Sequence, residues 1–160
     1  MAQAQQDTKI IYQSIGRFHT DYNRSTGAPR QGRFQPEGKG TIELYPQYHE
    51  ALSGLDAYDF ILVFYHLNKV RSWDTMVTPP GSDKEFGLFA TRTPRRPNPI
   101  GFSVIKLESI NNGVLHVSGV DAYDGTPVLD IKPYIPIIDC VDNIRDEETE
   151  KELGINSSEK

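Results

Sequence analysis

A single cysteine, Cys140, among 160 residues leaves no partner for an internal disulfide and no basis for a cysteine-built zinc site. A reducing compartment is the expectation that follows. Long apolar runs are missing as well. The longest, around FILVFYHL, falls far short of the roughly 20 residues a membrane-crossing helix needs. The opening residues, MAQAQQDTKI, lack a basic start followed by an apolar run, so no secretory signal is expected and the protein is placed in the cytoplasm, away from membranes. The four histidines, His19, His49, His66 and His116, show no metal-ligand spacing, and no metal is expected. Nucleophile-elbow, zinc-protease, P-loop and dinucleotide-type glycine signatures are all absent.

The length suits one domain with a core large enough to stand without metal or disulfide. Net charge is -5, and its placement is uneven. Residues 139–160 hold eight acids against Arg145, Lys151 and Lys160, so the rest of the chain balances to zero. The sequence therefore divides into a domain over 1–139 and an acidic tail over 140–160. Such a balance argues against indiscriminate nucleic-acid binding and leaves local basic patches open.

Strand signals dominate. Segments 9–18, 41–46, 58–67, 86–92, 102–110 and 114–120 are short, rich in β-branched and aromatic residues, and separated by turn signals. The nearly unbroken apolar run of 58–67 reads as a central strand buried on both faces. Asn111-Asn112-Gly113 reads as a hairpin turn, because these residues tolerate positive φ. One short helix is expected near 47–54, after Pro46, with Tyr48, Leu52 and Leu55 on one face. A second, acidic one is expected between Asp142 and Leu153. With no crossover helices to spare, the pattern predicts an all-β fold, a small barrel of six to seven strands. Two long connections, 19–39 and 68–85, exceed what a compact domain ordinarily tolerates without a function.

Three segments carry chemistry. The first connection holds Arg24, Arg30, Arg33 and Lys39 amid glycines that let main-chain N–H groups approach a ligand. ATRTPRRPNPIGFS, from 90 to 103, sets Arg92, Arg95 and Arg96 beside three prolines that stiffen the backbone and lower the entropy lost on binding. DAYDGTPVLDIKPYIP, from 121 to 136, combines Asp121, Asp124 and Asp130 with Lys132, Tyr123 and Tyr134. Carboxylates beside an ammonium in an aromatic setting suit acid–base or ribose-binding work. The plainer alternative pairs Asp130 with Lys132 at a strand end and packs Tyr134 in the core. His66 stands out because it ends the most apolar strand.

APRQG (28–32), FYHL (64–67), FATRTPRRPNPIGFS (89–103) and VDAYDGTPVLDIKPYIP (120–136), in this order, resemble the TsaA/YaeB-like family of TrmO-type tRNA methyltransferases. The resemblance spans roughly residues 10–139. It implies a non-Rossmann β-barrel that binds S-adenosylmethionine, a homodimer with cofactor sites near the interface, and methylation of N6 of threonylcarbamoyladenosine beside the anticodon of tRNA. Carried over by position, it implies cofactor contacts at Pro29, Arg30, Gln31, His66, Leu67, Arg92, Phe102, Asp121, Ala122, Tyr123 and Asp124. This chain lacks the C-terminal extension of longer members and ends in the acidic tail instead.

For such a reaction Asp130 is the candidate general base, Lys132 its charge partner and Tyr134 a stacking or hydrogen-bonding group for the purine. Arg95 and Arg96 are the candidate phosphate contacts. Two other readings stay open: a methyltransferase of the same fold acting on another substrate, and a non-catalytic barrel that binds S-adenosylmethionine or RNA.

Overall fold

The computed structural model describes residues 8–141 and 147–153. Six antiparallel strands close into a barrel in the order β1-β2-β7-β6-β3-β8. These are β1 (Gly16–Thr20), β2 (Lys39–Leu44), β3 (Phe60–His66), β6 (Ile100–Asn111), β7 (Val114–Ser118) and β8 (Pro127–Pro133). Two short strands, β4 (Met76–Val77) and β5 (Phe86–Gly87), pair separately. Closure removes the open sheet edges that an isolated all-β sheet would expose.

Side-chain alternation fills the barrel. Along β6, Gly101, Ser103, Ile105 and Leu107 point inward, while Ile100, Phe102, Val104 and Lys106 point out. Phe18, Ile42, Ile61, Val63, Leu115, Val117 and Val128 complete the interior, nearly all of it inaccessible to solvent. The hairpin between β6 and β7 forms as expected: Asn111 pairs with Val114, and Asn112 and Gly113 both take positive φ (50° and 80°), the two-residue turn whose twist matches the strands.

Four readings of the sequence are revised. Strand 9–18 begins only at Gly16, where pairing with Leu44 and Val128 starts. β3 is covered on both faces only in its middle: Ile61, Val63 and Tyr65 face the core and Leu62 is buried on the outer face, whereas Phe60 and His66 at its ends are exposed. The expected strand 86–92 stops at Gly87. Leu88–Ala90 coils into a 3₁₀ turn because Leu88 is buried and Thr91 Oγ1 donates to its carbonyl at 2.9 Å. β8, read only as a chemical motif, is a barrel strand, disguised by its prolines and charges.

The helix near 47–54 is a 3₁₀ segment, Pro46–Leu52, ended by Gly54 at φ 81°. With Tyr48, Leu52 and Leu55 it plugs one end of the barrel. The chain then adds a four-residue turn of helix, α1 (Pro136–Asp139), and the acidic helix α2 (Glu147–Glu152). The remainder of the segment read as a tail helix, 142–146, lies outside the described residues.

Topology decides where function can sit. β1, β3 and β7 finish, and β2, β6 and β8 begin, at the same end of the barrel. The three long connections, 21–38, 67–99 and 119–126, therefore all emerge there. Of the connections between barrel strands, the opposite end carries 45–59 and the tight β6–β7 hairpin.

Candidate functional site

Every carried-over cofactor residue except Phe102 lies on one of the three long connections or at a strand end beside them. Pro29, Arg30 and Gln31 come from the first connection. His66, Leu67 and Arg92 come from the second, and Asp121–Asp124 from the third. Leu67 is anchored by its N–H to the Pro99 carbonyl at 2.8 Å, which closes the second connection at its base.

Asp121 staples this end together. Its Oδ1 accepts from Ser103 Oγ at 2.6 Å and from Tyr65 Oη at 3.1 Å, and its Oδ2 accepts from the Gly32 N–H at 3.0 Å. Tyr65 Oη and Ser103 Oγ also lie 2.9 Å apart, so two hydroxyl protons serve three close contacts. Burial, with the Asp121 carboxylate beside it, pushes the Tyr65 phenol well above its ordinary range; the nearby Arg92 guanidinium opposes this. Tyr65 is thus held as a proton donor. The Gly32 bond fixes the end of the Pro29–Gln31 segment over the barrel mouth.

Two glycines make the staple possible. A Cβ on Gly101 would fall within the Tyr65 ring, 2.0 Å from Cε2, so glycine opposite Tyr65 lets the ring lie across the strand. A Cβ on Gly32 would sit 1.8 Å from the Gly119 carbonyl oxygen, so only glycine allows the first connection to approach the third this closely. Gly32 was among the loop glycines read as freeing the backbone, whereas Tyr65, Ser103 and Gly101 were not singled out in the sequence. The signal was available in the inward alternation of FYHL and GFS, which places Tyr65 and Ser103 on the core face.

Asp124 is left open to a ligand by contrast. Its Oδ1 accepts the Thr20 N–H at 3.3 Å and lies 3.7 Å from His19 Nδ1, and more than half of its side chain is exposed. Ala122 is buried, its carbonyl accepting from Thr20 Oγ1 at 3.0 Å, and Tyr123 is half-buried. Arg92 and Arg95 are exposed. Arg96 instead folds its own loop. Its Nη1 donates to the Thr91 carbonyl at 3.0 Å, with longer contacts to Thr93 and Leu88, and its guanidinium lies 5.5 Å from the Phe89 ring centroid.

The outer face of β6-β3-β8 extends the site sideways. Phe102, Phe64 and Asp130 form one cross-strand row, with the Phe64 and Phe102 rings 5.2 Å apart. Asp130 thus stands two strands, roughly 10 Å, from Phe102. Its Oδ2 pairs with Lys132 Nζ at 2.8 Å, and its Oδ1 accepts the Ile131 N–H at 2.9 Å. The next row is Val104, Leu62 and Lys132. Tyr134 is not brought to the site end. Its N–H bonds the Phe60 carbonyl, six residues and roughly 20 Å from His66 along β3.

A separate groove of about 780 Å³ lies on the outer face of β1, β2 and β7, lined by His19, Lys39, Glu108, His116 and Asp124 among others. Two of its lining side chains are paired with neighbours: His19 with Glu43 at 3.0 Å, and Glu108 with Ser118 at 2.6 Å. Among the described residues no cluster of His, Cys, Asp and Glu could hold a metal ion, and no helix is long and apolar enough to cross a membrane.

A closed antiparallel barrel, with a loop-built polar site at one mouth rather than at a parallel-sheet switch point, defines a small non-Rossmann domain. Its sequence matches the model of the tRNA-methyltransferase O N-terminal domain over residues 17–140, and the chain belongs to that family. It is 37% identical to a probable S-adenosyl-L-methionine-binding protein of Pyrococcus abyssi, over 85% of this chain and 74% of that one. Identity to the tRNA (adenine(37)-N6)-methyltransferase of Escherichia coli is 34%, over 81% of this chain and 60% of the enzyme. Among solved structures, TrmO from Pseudomonas aeruginosa matches with a TM-score of 0.74 at 35% identity, covering 87% of this chain and 62% of that one. The chain thus spans about three fifths of the length of these two enzymes.

Proposed function

We propose that the protein is an S-adenosylmethionine-dependent tRNA methyltransferase of the cytoplasm, methylating N6 of threonylcarbamoyladenosine beside the anticodon. The observation that carries this reading is the convergence of three long connections at one barrel mouth, locked by Asp121 and lined by Arg30, Arg92 and Asp124. The similarity to a tRNA methyltransferase and to S-adenosylmethionine-binding proteins supports it.

The donor set fits the cofactor. An exposed arginine suits its carboxylate through charge-assisted bonds, and Asp124 keeps acceptor capacity for an amine or ribose hydroxyl. Asp121 positions the Gln31 segment through three donors, and its Oδ2, which accepts only the Gly32 N–H, keeps a further acceptor position for the cofactor. When bound, the cofactor supplies an electrophilic methyl group on a sulfonium. The protein's task is then to hold the nucleophile in line and help its proton leave.

The acceptor nitrogen is delocalised into both the purine and a carbonyl, which makes it a poor nucleophile and its proton comparatively acidic. A carboxylate of modest basicity therefore suffices as general base. Asp130 takes that role here, with Lys132 Nζ paired to its Oδ2 at 2.8 Å as the charge partner. The unit over 1–139 carries the reaction, and 140–160 is an appendage.

The homodimer belongs to the same reading. The β6-β3-β8 outer face exposes Phe60, Ile100, Phe102 and Val104, each 37–43% accessible. Asp130 and Lys132 stand at its edge, a charge pair that a two-fold axis would set against its own copy. A second copy on this face covers the apolar row and sets Asp130 beside a neighbouring site.

The test is mass spectrometry of nucleosides from hypomodified tRNA incubated with the protein and labelled S-adenosylmethionine. Label is expected on N6 of threonylcarbamoyladenosine. Label on a different nucleoside, or none on any RNA, overturns the reading.

A further inference from the structure

The two basic connections at the barrel mouth already have an anionic occupant, and it comes from the same chain. Residues 17–39 and 84–96 each carry a net charge of +3. Helix α2 bears Glu147, Glu148, Glu150 and Glu152 against Lys151 alone. Lys84, from the second connection, forms an ion pair with Glu152. Arg30, from the first, donates from Nη2 to the Leu153 carbonyl at 3.4 Å. Glu148 lies one helical turn from Glu152 on the same face, and both carboxylates hold the Lys84 ammonium charged to higher pH than usual. The acidic segment thus bridges two connections that are distant in sequence and meet only at the site end.

We infer that the surface carried by Arg30 and Lys84 docks the phosphate backbone of the RNA substrate, and that helix α2 is its built-in competitor. The inference rests on the tRNA reading above and names the surface that RNA uses. The chemistry of the two occupants matches. Glu148 and Glu152, one turn apart, set two carboxylates toward Lys84 while the Leu153 carbonyl accepts from Arg30, as neighbouring phosphate oxygens would. The contacts are also of the kind that yields: Lys84 is largely exposed, and exposed ion pairs are weak and screened by salt. A polyanion with many charges and a releasable counterion atmosphere displaces a short helix with net charge -3. Weakly anionic or short RNAs do not, so the tail raises the threshold for productive binding.

The experiment measures the affinity of fluorescently labelled unmodified tRNA for the full-length chain and for the triple variant Glu148→Gln, Glu150→Gln, Glu152→Gln. Binding is expected to tighten by about five- to tenfold at low salt, with a steeper salt dependence as the freed cations gain phosphate contacts. Adding Lys84→Ala to the triple variant is expected to remove most of the gain. A control variant with the same charge change at the opposite barrel end, Glu50→Gln, Asp56→Asn, Asp59→Asn, is expected to bind within about twofold of wild type at about 0.1 M salt, where that end, roughly 20 Å away, lies beyond the Debye length of about 10 Å. Equal affinity of the wild type and the first triple variant overturns the inference, as does an equal gain in the control.

A second measurement reads the helix directly. Trp73, the sole tryptophan, lies on the Lys84 connection. Energy transfer from Trp73 to a label introduced by Lys151→Cys in a Cys140→Ser background is expected to fall as tRNA is titrated. If tRNA binds without a change in transfer, the inference fails and the tRNA reading stands. If transfer reports a docked helix but no form of the protein binds tRNA, both fail together.

Discussion

Tyr65 Oη and Asp121 Oδ1 lie 3.1 Å apart beneath the connection that carries Gln31, and this contact ties the barrel wall to the loops of the candidate site. Tyr65 stands on β3, packed edge-on against Phe18 with ring centroids 5.5 Å apart. Asp121 lies on the connection from β7 to β8. Their bond, with that of Ser103, makes this carboxylate a clamp between the barrel wall and the loops. Replacing Tyr65 with Phe keeps the ring and removes the donor. The expected cost is about 1–3 kcal/mol of stability, from a part-buried carboxylate left short of a partner, read as a lower denaturation midpoint. Cofactor affinity is expected to fall with it as the Gln31 segment loosens.

The same contact has a pH signature. Because the folded-state phenol is raised above its unfolded value of about 10, its contribution is fully present below that pH and is lost as pH rises further. In an alkaline absorbance titration Tyr65 is expected to be the last of the eight tyrosines to ionise, and only as the protein unfolds. Tyr65→Phe removes that late component. A titration in which the variant and wild type superimpose contradicts the assignment.

Arg92→Ala is expected to weaken S-adenosylmethionine binding by roughly 1.5–3 kcal/mol through loss of a charge-assisted bond, with the fold intact. Isothermal titration showing unchanged affinity removes Arg92 from the site.

Arg95 and Arg96 are expected to separate. Arg96 turns its Nη1 to carbonyls of its own loop, so Arg96→Ala should lower stability by about 1 kcal/mol, a figure reduced for partial solvation. Arg95→Ala should leave stability unchanged and reduce the slope of tRNA affinity against salt by about 1. Identical salt slopes for Arg95→Ala and wild type would exclude a phosphate contact.

Asp130→Asn is expected to preserve fold and cofactor affinity while lowering turnover by about 10²–10⁴-fold. Near-normal methylation by the variant leaves Asp130 as a strand-face partner of Lys132 and nothing more. If the base acts across a dimer, mixing Asp130→Asn with Arg92→Ala protomers restores activity that neither variant has alone.

Much of the barrel was written locally. Alternation of apolar and polar residues along 102–110 and 114–120, and the Asn-Gly turn between them, depend only on a residue and its near neighbours, so the hairpin could be read directly. The absence of crossover helices set the all-β class, and the long motifs of 28–32, 89–103 and 120–136 marked the residues that gather at the mouth. β8 could not be read this way, because a barrel strand flanked by Pro127 and Pro133, with Asp130 and Lys132 on its outer face, looks locally like a polar turn. Nor could its sequence divide the aspartates by role. Asp121 and Asp124 are three residues apart and chemically the same, yet one meets Tyr65, Ser103 and Gly32 while the other faces solvent. That difference arises from closure of the barrel, which brings residues 32, 65, 103 and 121 within hydrogen-bond reach and leaves Tyr134 at the far end. Partners so far apart along the chain leave no periodic trace, and only tertiary structure decides which carboxylate is drawn into the hydrogen bonds of the barrel mouth and which stays exposed.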